Sequence, residues 1–474
     1  MMDTATAARA VDGRMLGENV PFNRVTTDTR TLAEGDLFVA LKGERFDGHD
    51  FVAIAQKRGA AAAIVDADRA HSLPGNRIAV ADPLAALGRL AANWRARFRL
   101  PVFVVVGSNG KTTVKEMLAA ILRSHHGAAK VLATAGNLNN AIGLPLTLLG
   151  LREEHAAAVI ELGMNHPGET AELAAIAQPT VAIINNAQRE HQEFMKTVAD
   201  VAAEHASVLR ALPAGGVAVL NADDPHVDIW HAAARKRSGV RIAEFALDAP
   251  APTRLLAAGG QSTKLIAGDM TAGETTVRES IVFATPAGEG TVRLAALGRH
   301  NASNALAAIA AALAVDVPIG TIVCGLEAFR PVAGRLVPLT SAAGAAVIDD
   351  TYNANPDSVE AAIDVLAAAP PPRWLVLGDM GEVGDNGPRF HDEIGAYARA
   401  AGVERLFAVG ALAAASVAAF GAGGQHFASV EALARHVADA VAADTTVLVK
   451  GSRFMRMERV VAALTGAPAT EGVH

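Results

Sequence analysis

The sequence of 474 residues has a single cysteine, Cys324, so no disulfide can form within the chain. Aromatic residues make up only 4% of it, and much of the 51% hydrophobic fraction is alanine, which favours helices and close packing over bulky cores. The formal net charge of -7 argues against a nucleic-acid binder, which would carry a basic excess. We therefore predict a protein of a reducing compartment that does not bind nucleic acid.

Long apolar runs are also missing from the sequence. No stretch approaches the roughly 18 unbroken apolar residues of a membrane helix. Residues 1–20 have no apolar signal core. The alanine-rich run at 305–315 is shorter and is predicted to be a buried helix. We therefore expect a cytoplasmic protein without a membrane span.

Strands and helices alternate along three segments, and the chain length also suggests about three domains. Residues 1–100 form a small α/β unit with short strands at 36–41 and 61–65. Residues 101–316 open with an apolar run at 102–106, typical of a parallel strand buried on both faces. Residues 317–474 repeat the alternation, with strands at 345–348, 374–377, 406–409 and 447–450. The predicted fold is α/β in three domains, with a central parallel sheet and a doubly wound, Rossmann-like C-terminal domain.

The strongest local motif lies between the strand at 102–106 and a helix with apolar residues at helical spacing. It consists of Gly107, Ser108, Asn109, Gly110, Lys111, Thr112 and Thr113. Glycines let backbone N–H groups turn towards phosphate, and the helix N-terminus adds partial positive charge. Lys111 would reach the β- and γ-phosphates of a nucleotide, and Thr112 a magnesium ion. The alternative is an ordinary strand–helix turn, since Val105 stands where the full motif has its first glycine.

Two further strand ends carry candidate metal ligands. Glu161 ends the predicted strand at 157–162, and His191 follows the strand at 181–185. A carboxylate at such an edge suits magnesium, which takes few protein ligands and prefers oxygen. A helix-capping glutamate and a surface histidine are the alternative interpretations.

Amide side chains cluster at Asn137, Asn139 and Asn140. Because asparagine both donates and accepts hydrogen bonds, this cluster suits an amide or sugar ligand. A turn followed by a helix cap explains it equally well.

Later motifs suit a nucleotide. Asn301 begins the alanine-rich helix, Arg335 precedes a strand of the third segment, and Asp350 ends that strand. An aspartate at a strand end can hold ribose hydroxyls, and an arginine can neutralise phosphate charge. A helix cap, a surface cation and an Asx-turn are the respective alternatives.

In this order, these segments resemble the Mur ligase family over nearly the whole chain. The most diagnostic stretches are 107–117, 136–149, 161–169, 298–307, 350–358 and 377–383. The stretches 136–147 and 350–358 resemble in particular the members that add D-alanyl-D-alanine. The resemblance implies an ATP- and Mg²⁺-dependent ligase of peptidoglycan precursor synthesis. Its expected substrates are UDP-N-acetylmuramoyl-tripeptide and D-alanyl-D-alanine, joined through an acyl phosphate, and its expected state is a monomer.

The resemblance also implies residue roles. The first domain would bind UDP through Thr27, Asp28 and Arg30. Asn301 would contact adenine, Arg335 the phosphates and Asp350 the ribose. The implied catalytic residues are Lys111, Glu161, His191 and Arg335, and the implied metal ligands are Thr112, Glu161 and His191. The implied substrate contacts also include Asn137, Asn139, Asn140, Asn353 and Asn355.

Two departures from the family pattern stand out. Val106 replaces the usual threonine before the first loop glycine, and residues 203–206 contain no lysine where many members have a carbamylated one. Glu204, His205 or water remain as candidates to support a second magnesium ion.

Other classes stay open from sequence alone. In a diamino-acid-adding sister ligase we would expect an Asp-Asn-Pro-Arg motif, which Gly387 interrupts at 385–389. A folylpolyglutamate synthetase would not need the first domain. A nucleotide-dependent switch would make no product.

Overall fold

The computed structural model describes residues 1–44, 46–258 and 279–467, which form three α/β units in sequence. The N-terminal unit contains β1 (Met2–Asp3), α1 (Thr4–Ala10), β2 (Arg14–Leu16), β3 (Pro21–Phe22), β4 (Arg24–Thr26), β5 (Asp36–Val39), α2 (Val52–Lys57), β6 (Ala62–Asp66), β7 (Arg77–Val80) and α3 (Pro83–Arg95). Its five-stranded sheet has the order β2-β7-β6-β5-β4, with only β2 antiparallel to its neighbour.

The central unit is built on a nine-stranded sheet of order β16-β15-β14-β13-β12-β11-β8-β10-β9. Its elements are β8 (Val102–Val106), α4 (Lys111–His126), β9 (Val131–Ala133), α5 (Gly143–Leu148), β10 (Ala157–Glu161), α6 (Glu169–Ala177), β11 (Val181–Ile184), α7 (Val198–Ala206), β12 (Val217–Asn221), α8 (Val227–Arg235), β13 (Arg241–Ala246), β14 (Thr253–Ala258), β15 (Glu279–Thr285), β16 (Gly288–Leu294), α9 (Arg299–Leu313) and α10 (Ile319–Ala328). Strands β8 to β14 run parallel, and β15 and β16 add an antiparallel extension at one edge of the sheet.

The apolar run of β8 is explained by two cores, one on each face of the central sheet. Val102, Val104 and Val106 pack in one core, while Phe103 and Val105 pack in the other with α4 and α9. Every residue of this strand is buried, so no polar alternation is possible. The prediction of a parallel strand buried on both faces is confirmed.

The C-terminal unit has a six-stranded sheet of order β17-β18-β22-β19-β20-β21. Its elements are β17 (Val337–Thr340), β18 (Ala346–Asp350), α11 (Pro356–Ala367), β19 (Arg373–Gly378), α12 (Gly387–Ala400), β20 (Arg405–Val409), α13 (Ala413–Phe420), β21 (Gly424–Phe427), α14 (Val430–Ala440), β22 (Thr446–Lys450) and α15 (Glu458–Thr465). Leu375 and Leu377 of β19 pack on one face and Val376 on the other, so helices cover both faces. The predicted doubly wound fold is confirmed.

Helix α10 lies between the second and third units of the chain. Ile322 and Leu326 pack in the same core as Val105 of the central sheet. A boundary drawn from packing would therefore follow Phe329. The bounds 1–100, 101–316 and 317–474 stay a prediction.

Candidate active site between the central and C-terminal units

Most of the site residues that the sequence predicts line one cavity of about 1590 Å³. Its walls include Ser108, Asn109, Gly110, Lys111, Thr112, Thr113, Asn137, Asn139, Asn140, Glu161, His191, Asn301, Arg335, Asp350, Asn353 and Asn355. The reason is topological, because the carboxyl ends of parallel strands meet at one edge of a sheet. β8 lies between β10 and β11 in the central sheet, so the loop after β8 has Glu161 on one side and the segment after β11 on the other.

The loop after β8 has the geometry of a phosphate-binding loop. Gly107 and Gly110 adopt φ angles of +142° and +82°. A Cβ at Gly110 would lie 2.3 Å from Asn304 Oδ1, so only glycine fits there. Helix α4 starts at Lys111 with a glycine N-cap that provides no side-chain acceptor. Its first N–H groups therefore remain available to an anion.

Lys111 lies over this loop beside a buried carboxylate that the sequence interpretation missed. Its Nζ donates to the Ser108 carbonyl at 3.1 Å and lies 3.5 Å from Glu190 Oε2. Burial alone would raise the pKa of Glu190, but the charge of Lys111 and the hydrogen bond with His205 lower it to about 2. Glu190 is therefore an anion that faces the lysine. Its position directly before His191 at a strand end is the signal that could have revealed it.

The two candidate side chains of the segment 203–206 point to different surroundings. His205 is buried, and its Nε2 lies 3.0 Å from Glu190 Oε1. Glu204 points elsewhere and accepts hydrogen bonds from the N–H groups of Gly168 and Thr170 at 3.0 and 2.9 Å. Of these two candidates, only His205 joins the cluster at Lys111.

Glu204 instead caps a neighbouring helix, and this role gives a stability prediction. α6 begins after Gly168, which has no side chain to cap it. We expect Glu204→Ala to cost about 1 kcal/mol of unfolding free energy, the usual effect of losing a cap, and to leave turnover near that of the wild type. Thermal unfolding of Glu204→Ala measures this loss of stability, and Glu154→Ala, at an exposed position, serves as the control. A large loss of turnover at unchanged stability would contradict the capping role.

Glu161 provides the clearest indication of a cation site. Its side chain is buried, and Asn139 Nδ2 donates to its Oε1 at 2.7 Å. Its Oε2 is also buried but has no hydrogen-bond partner. An unsatisfied carboxylate oxygen of this kind is costly unless something binds it. Together with the hydroxyl of Thr112, it gives the oxygen donors that magnesium prefers.

His191 is held by the C-terminal unit. It adopts a left-handed φ of 48°, and its Nδ1 lies 2.6 Å from Glu382 Oε2. Across the described parts of the chain, no three His, Cys, Asp or Glu side chains gather into a metal cage. The hydroxyl of Thr112 and the unpaired Oε2 of Glu161 fit a magnesium ion, which prefers oxygen ligands and keeps part of its water shell.

The C-terminal wall of the cavity carries Asp350 and Arg335. Asp350 lies opposite Lys450 in the β18–β22 register, and its Oδ2 accepts a hydrogen bond from Lys450 Nζ at 2.5 Å. The Arg335 guanidinium lies 4.2 Å from the ring centroid of Tyr352, and its Nε is buried without a hydrogen-bond partner. Lys450 was also missed by the sequence interpretation. It fixes Asp350, while Tyr352 orients Arg335.

The asparagines at the cavity differ in which of their polar atoms are already hydrogen-bonded within the protein. Asn140 Oδ1 accepts the N–H groups of Ile142 and Gly143, so it stabilises the turn that leads into α5. Asn301 lies in the first turn of α9, where its Nδ2 donates to the Leu297 carbonyl before the helix at 2.8 Å and its Oδ1 accepts from Asn304 Nδ2 at 3.0 Å. Asn137 is exposed at the cavity.

In the C-terminal unit, Asn355 caps α11 and also exchanges hydrogen bonds of 2.9 and 3.2 Å with Asn109 of the phosphate loop. Asn353 lies nearby, and its carbonyl accepts from Lys450 Nζ at 3.0 Å. This stretch therefore joins the two units at the site.

The residues expected to bind UDP do not reach the main cavity. Asp28 and Arg30 pair with each other at 2.8 Å after β4, and neither they nor Thr27 line it. A second cavity of 370 Å³ lies between Lys42 and Asp66 of the N-terminal unit and Ile142 of the central unit. The roles of Thr27, Asp28 and Arg30 stay predictions.

Among the described residues, no helix is both long and apolar enough to cross a membrane.

The fold and the cavity define a multidomain α/β protein in which the glycine-containing loop after β8 faces a second, doubly wound unit. Three family models match it, the Mur ligase family catalytic domain at 21–95, the Mur ligase middle domain at 105–312 and the Mur ligase glutamate ligase domain at 334–453. The chain belongs to the Mur ligase family.

Relatives match along its whole length. It is 39% identical to the UDP-N-acetylmuramoyl-tripeptide–D-alanyl-D-alanine ligase of Escherichia coli, over 96% of each chain. A crystal structure of MurF from Acinetobacter baumannii matches with a TM-score of 0.85 at 33% identity, covering 97% of this chain and 98% of the other. MurF from Thermotoga maritima in complex with ADP matches with a TM-score of 0.78 at 27% identity, covering 93% and 96%.

Proposed function

We propose that the chain joins D-alanyl-D-alanine to UDP-N-acetylmuramoyl-tripeptide, with ATP converted to ADP and phosphate. The observation that carries the proposal is the single cavity in which the phosphate loop and Glu161 face Arg335 and Asp350. The full-length similarity to ligases of this name supports the choice of substrates. In this proposal the protein is a cytoplasmic monomer of peptidoglycan precursor synthesis.

The first step brings two anions together. The terminal carboxylate of the tripeptide attacks the γ-phosphorus of ATP, which forms an acyl phosphate and releases ADP. Lys111 at the phosphate loop and Arg335 on the facing wall are the cations that offset the repulsion. Asp350, held by Lys450, is suited to the ribose, and Asn301 at the start of α9 to the adenine.

Magnesium, when bound, would neutralise phosphate charge and draw the carboxylate towards the γ-phosphate. Thr112 and Glu161 are the residues suited to hold it, with His191 beside them. Asn139 orients Glu161 through the hydrogen bond to Oε1. The buried carboxylate of Glu190, which is hydrogen-bonded to His205, lies next to Lys111. It keeps the ammonium of Lys111 between the loop carbonyls and the carboxylate.

In the second step the amine of D-alanyl-D-alanine attacks the acyl carbon, and phosphate leaves. No enzyme nucleophile is needed, and Cys324 is exposed outside this cavity. The step needs water to be excluded, since water would hydrolyse the acyl phosphate. The Asn109–Asn355 pair brings the C-terminal unit against the phosphate loop and supports such exclusion. Asn137, Asn140 and Asn353 are the remaining amide side chains proposed to contact the substrates.

The experiment that tests the proposal is phosphate release from ATP in the presence of UDP-N-acetylmuramoyl-tripeptide, with and without D-alanyl-D-alanine. We expect release only when all three are present, together with a UDP-linked pentapeptide detectable by mass spectrometry. Release with another amine would move the function to a sister ligase. ATP turnover that needs neither substrate would indicate a nucleotide-dependent switch.

A further inference from the structure

Arg189 lies in the segment after β11 and reaches across to the C-terminal unit. Its Nε and Nη2 donate to Asp357 Oδ1 at 3.0 and 2.8 Å, and Nη2 also donates to Glu360 Oε1 at 2.9 Å. Its Nη1 donates to Glu393 Oε2 at 3.0 Å. The backbone N–H of Arg189 adds a further hydrogen bond to Asp357 Oδ2 at 2.7 Å. One side chain of the central unit thus binds two helices of the C-terminal unit, α11 and α12.

The charge balance makes this contact specific. A single guanidinium meets three carboxylates, and its side chain is only 23% exposed. It also lies over the ring of Phe390, 5.5 Å from the centroid. The planar guanidinium holds five N–H donors in a fixed fork, and here Nε, Nη1 and Nη2 all donate; the three rotatable donors of a lysine ammonium cannot reproduce this geometry. Without it, the partly buried carboxylates would repel one another at the junction.

The neighbours of Arg189 connect this junction to the chemistry. The next residue is Glu190, which lies beside Lys111, and the one after it is His191, which contacts Glu382 of the C-terminal unit. Glu193 N also donates to the Glu382 carbonyl at 3.4 Å. The segment 189–193 is therefore bound to the C-terminal unit at both ends, and its middle faces the phosphate loop.

We propose that Arg189 is a positioning residue that holds the C-terminal unit against the central unit and so fixes Glu190 and His191 beside Lys111. The two units supply opposite walls of the cavity, so their contact must form before the chemistry can proceed. The test below measures both turnover and the radius of gyration. The turnover measurement rests on the proposed function, whereas the radius of gyration does not.

The test compares Arg189→Ala with Arg389→Ala as a matched control. Arg389 lies over the same Phe390 ring at 5.2 Å and pairs with the same Glu393, but from within α12, so it does not cross between units. With Mg²⁺ and a non-hydrolysable ATP analogue, we expect small-angle scattering to give a larger radius of gyration for Arg189→Ala than for the wild type or the control.

In turnover, Arg189→Ala is expected to lower kcat by about ten- to a hundred-fold, because a displacement of about 1 Å caused far from the reacting atoms can cost on the order of a hundred-fold. The KM for the UDP-linked substrate should change little, because the N-terminal unit is untouched. Arg189→Lys, which keeps the charge but not the fork, should fall between the alanine variant and the wild type.

A second variant keeps the proposal testable if Arg189→Ala does not fold. Glu360→Gln combined with Glu393→Gln weakens the same junction from the opposite side and should also enlarge the particle and lower kcat. Unchanged scattering and turnover in Arg189→Ala, or equal losses in Arg189→Ala and Arg389→Ala, would overturn the proposal. If the wild type failed to use D-alanyl-D-alanine, the proposed function would fall while the scattering comparison still decided the role of Arg189.

Discussion

Replacing Lys111 with alanine is expected to abolish ADP production, with a loss of roughly a thousand-fold or more. Lys111 is the cation of the phosphate loop, and its ammonium already lies within hydrogen-bond distance of the Gly107 and Ser108 carbonyls at the start of that loop. Without it, the attacking carboxylate and the γ-phosphate would meet with one positive charge fewer. The anionic Glu190 would also be left facing the phosphates without its closest cation.

The measurement is coupled ADP production at saturating tripeptide substrate, with thermal unfolding as a check on folding. Lys130→Ala is the control, because Lys130 is an exposed lysine of the same unit. Near-normal turnover in Lys111→Ala would mean that the loop at 107–113 does not hold the transferred phosphate. A loss shared by both lysine variants would point to bulk electrostatics instead.

The local sequence predicted the loop after β8, Glu161 and Asp350 as site residues because the ends of strands can be recognised from a few neighbouring residues. An apolar run followed by glycine and a helix predicts where β8 ends, and the rule for parallel sheets then brings Glu161 and the phosphate loop together. The same reasoning gave Asp350 at the end of β18, although that strand begins and ends slightly later than the predicted 345–348.

The residues that sequence reasoning missed depend on contacts between distant parts of the chain. Lys450 meets Asp350 over a separation of 100 residues, and Arg189 meets Asp357 over 168. Nothing in the local pattern around Lys450 or Arg189 distinguishes these cations from solvated ones. Their partners follow only from the order of strands in the C-terminal sheet and from the contact between two units.

The asparagines show a second reason why the sequence alone could not predict every role: one side chain can have both a structural role and a role at the site. Asn355 is the N-cap of α11, which is a purely structural role, yet its amide also donates to Asn109 of the loop after β8. Asn140 stabilises the turn before α5, whereas Asn139, its immediate neighbour, donates a hydrogen bond to Glu161. Residue type and spacing could not separate these roles because neighbouring side chains point in different directions from the same turn.

Glu161→Gln is expected to lower turnover by roughly a hundred-fold or more while preserving the fold. The glutamine has nearly the same shape, and its carbonyl can still accept the hydrogen bond from Asn139. Its NH₂ group would then stand where the buried Oε2 of Glu161 has no hydrogen-bond partner, and an amide nitrogen cannot bind a cation. The variant should therefore need more magnesium for half-maximal turnover, and Mg²⁺ with an ATP analogue should raise its melting temperature less than that of the wild type. Glu154→Gln, at an exposed position of the same unit, serves as the control. If Glu161→Gln kept the wild-type magnesium dependence, the unpaired oxygen would not be a cation ligand, and the metal would have to be held by Thr112, His191 and the phosphates.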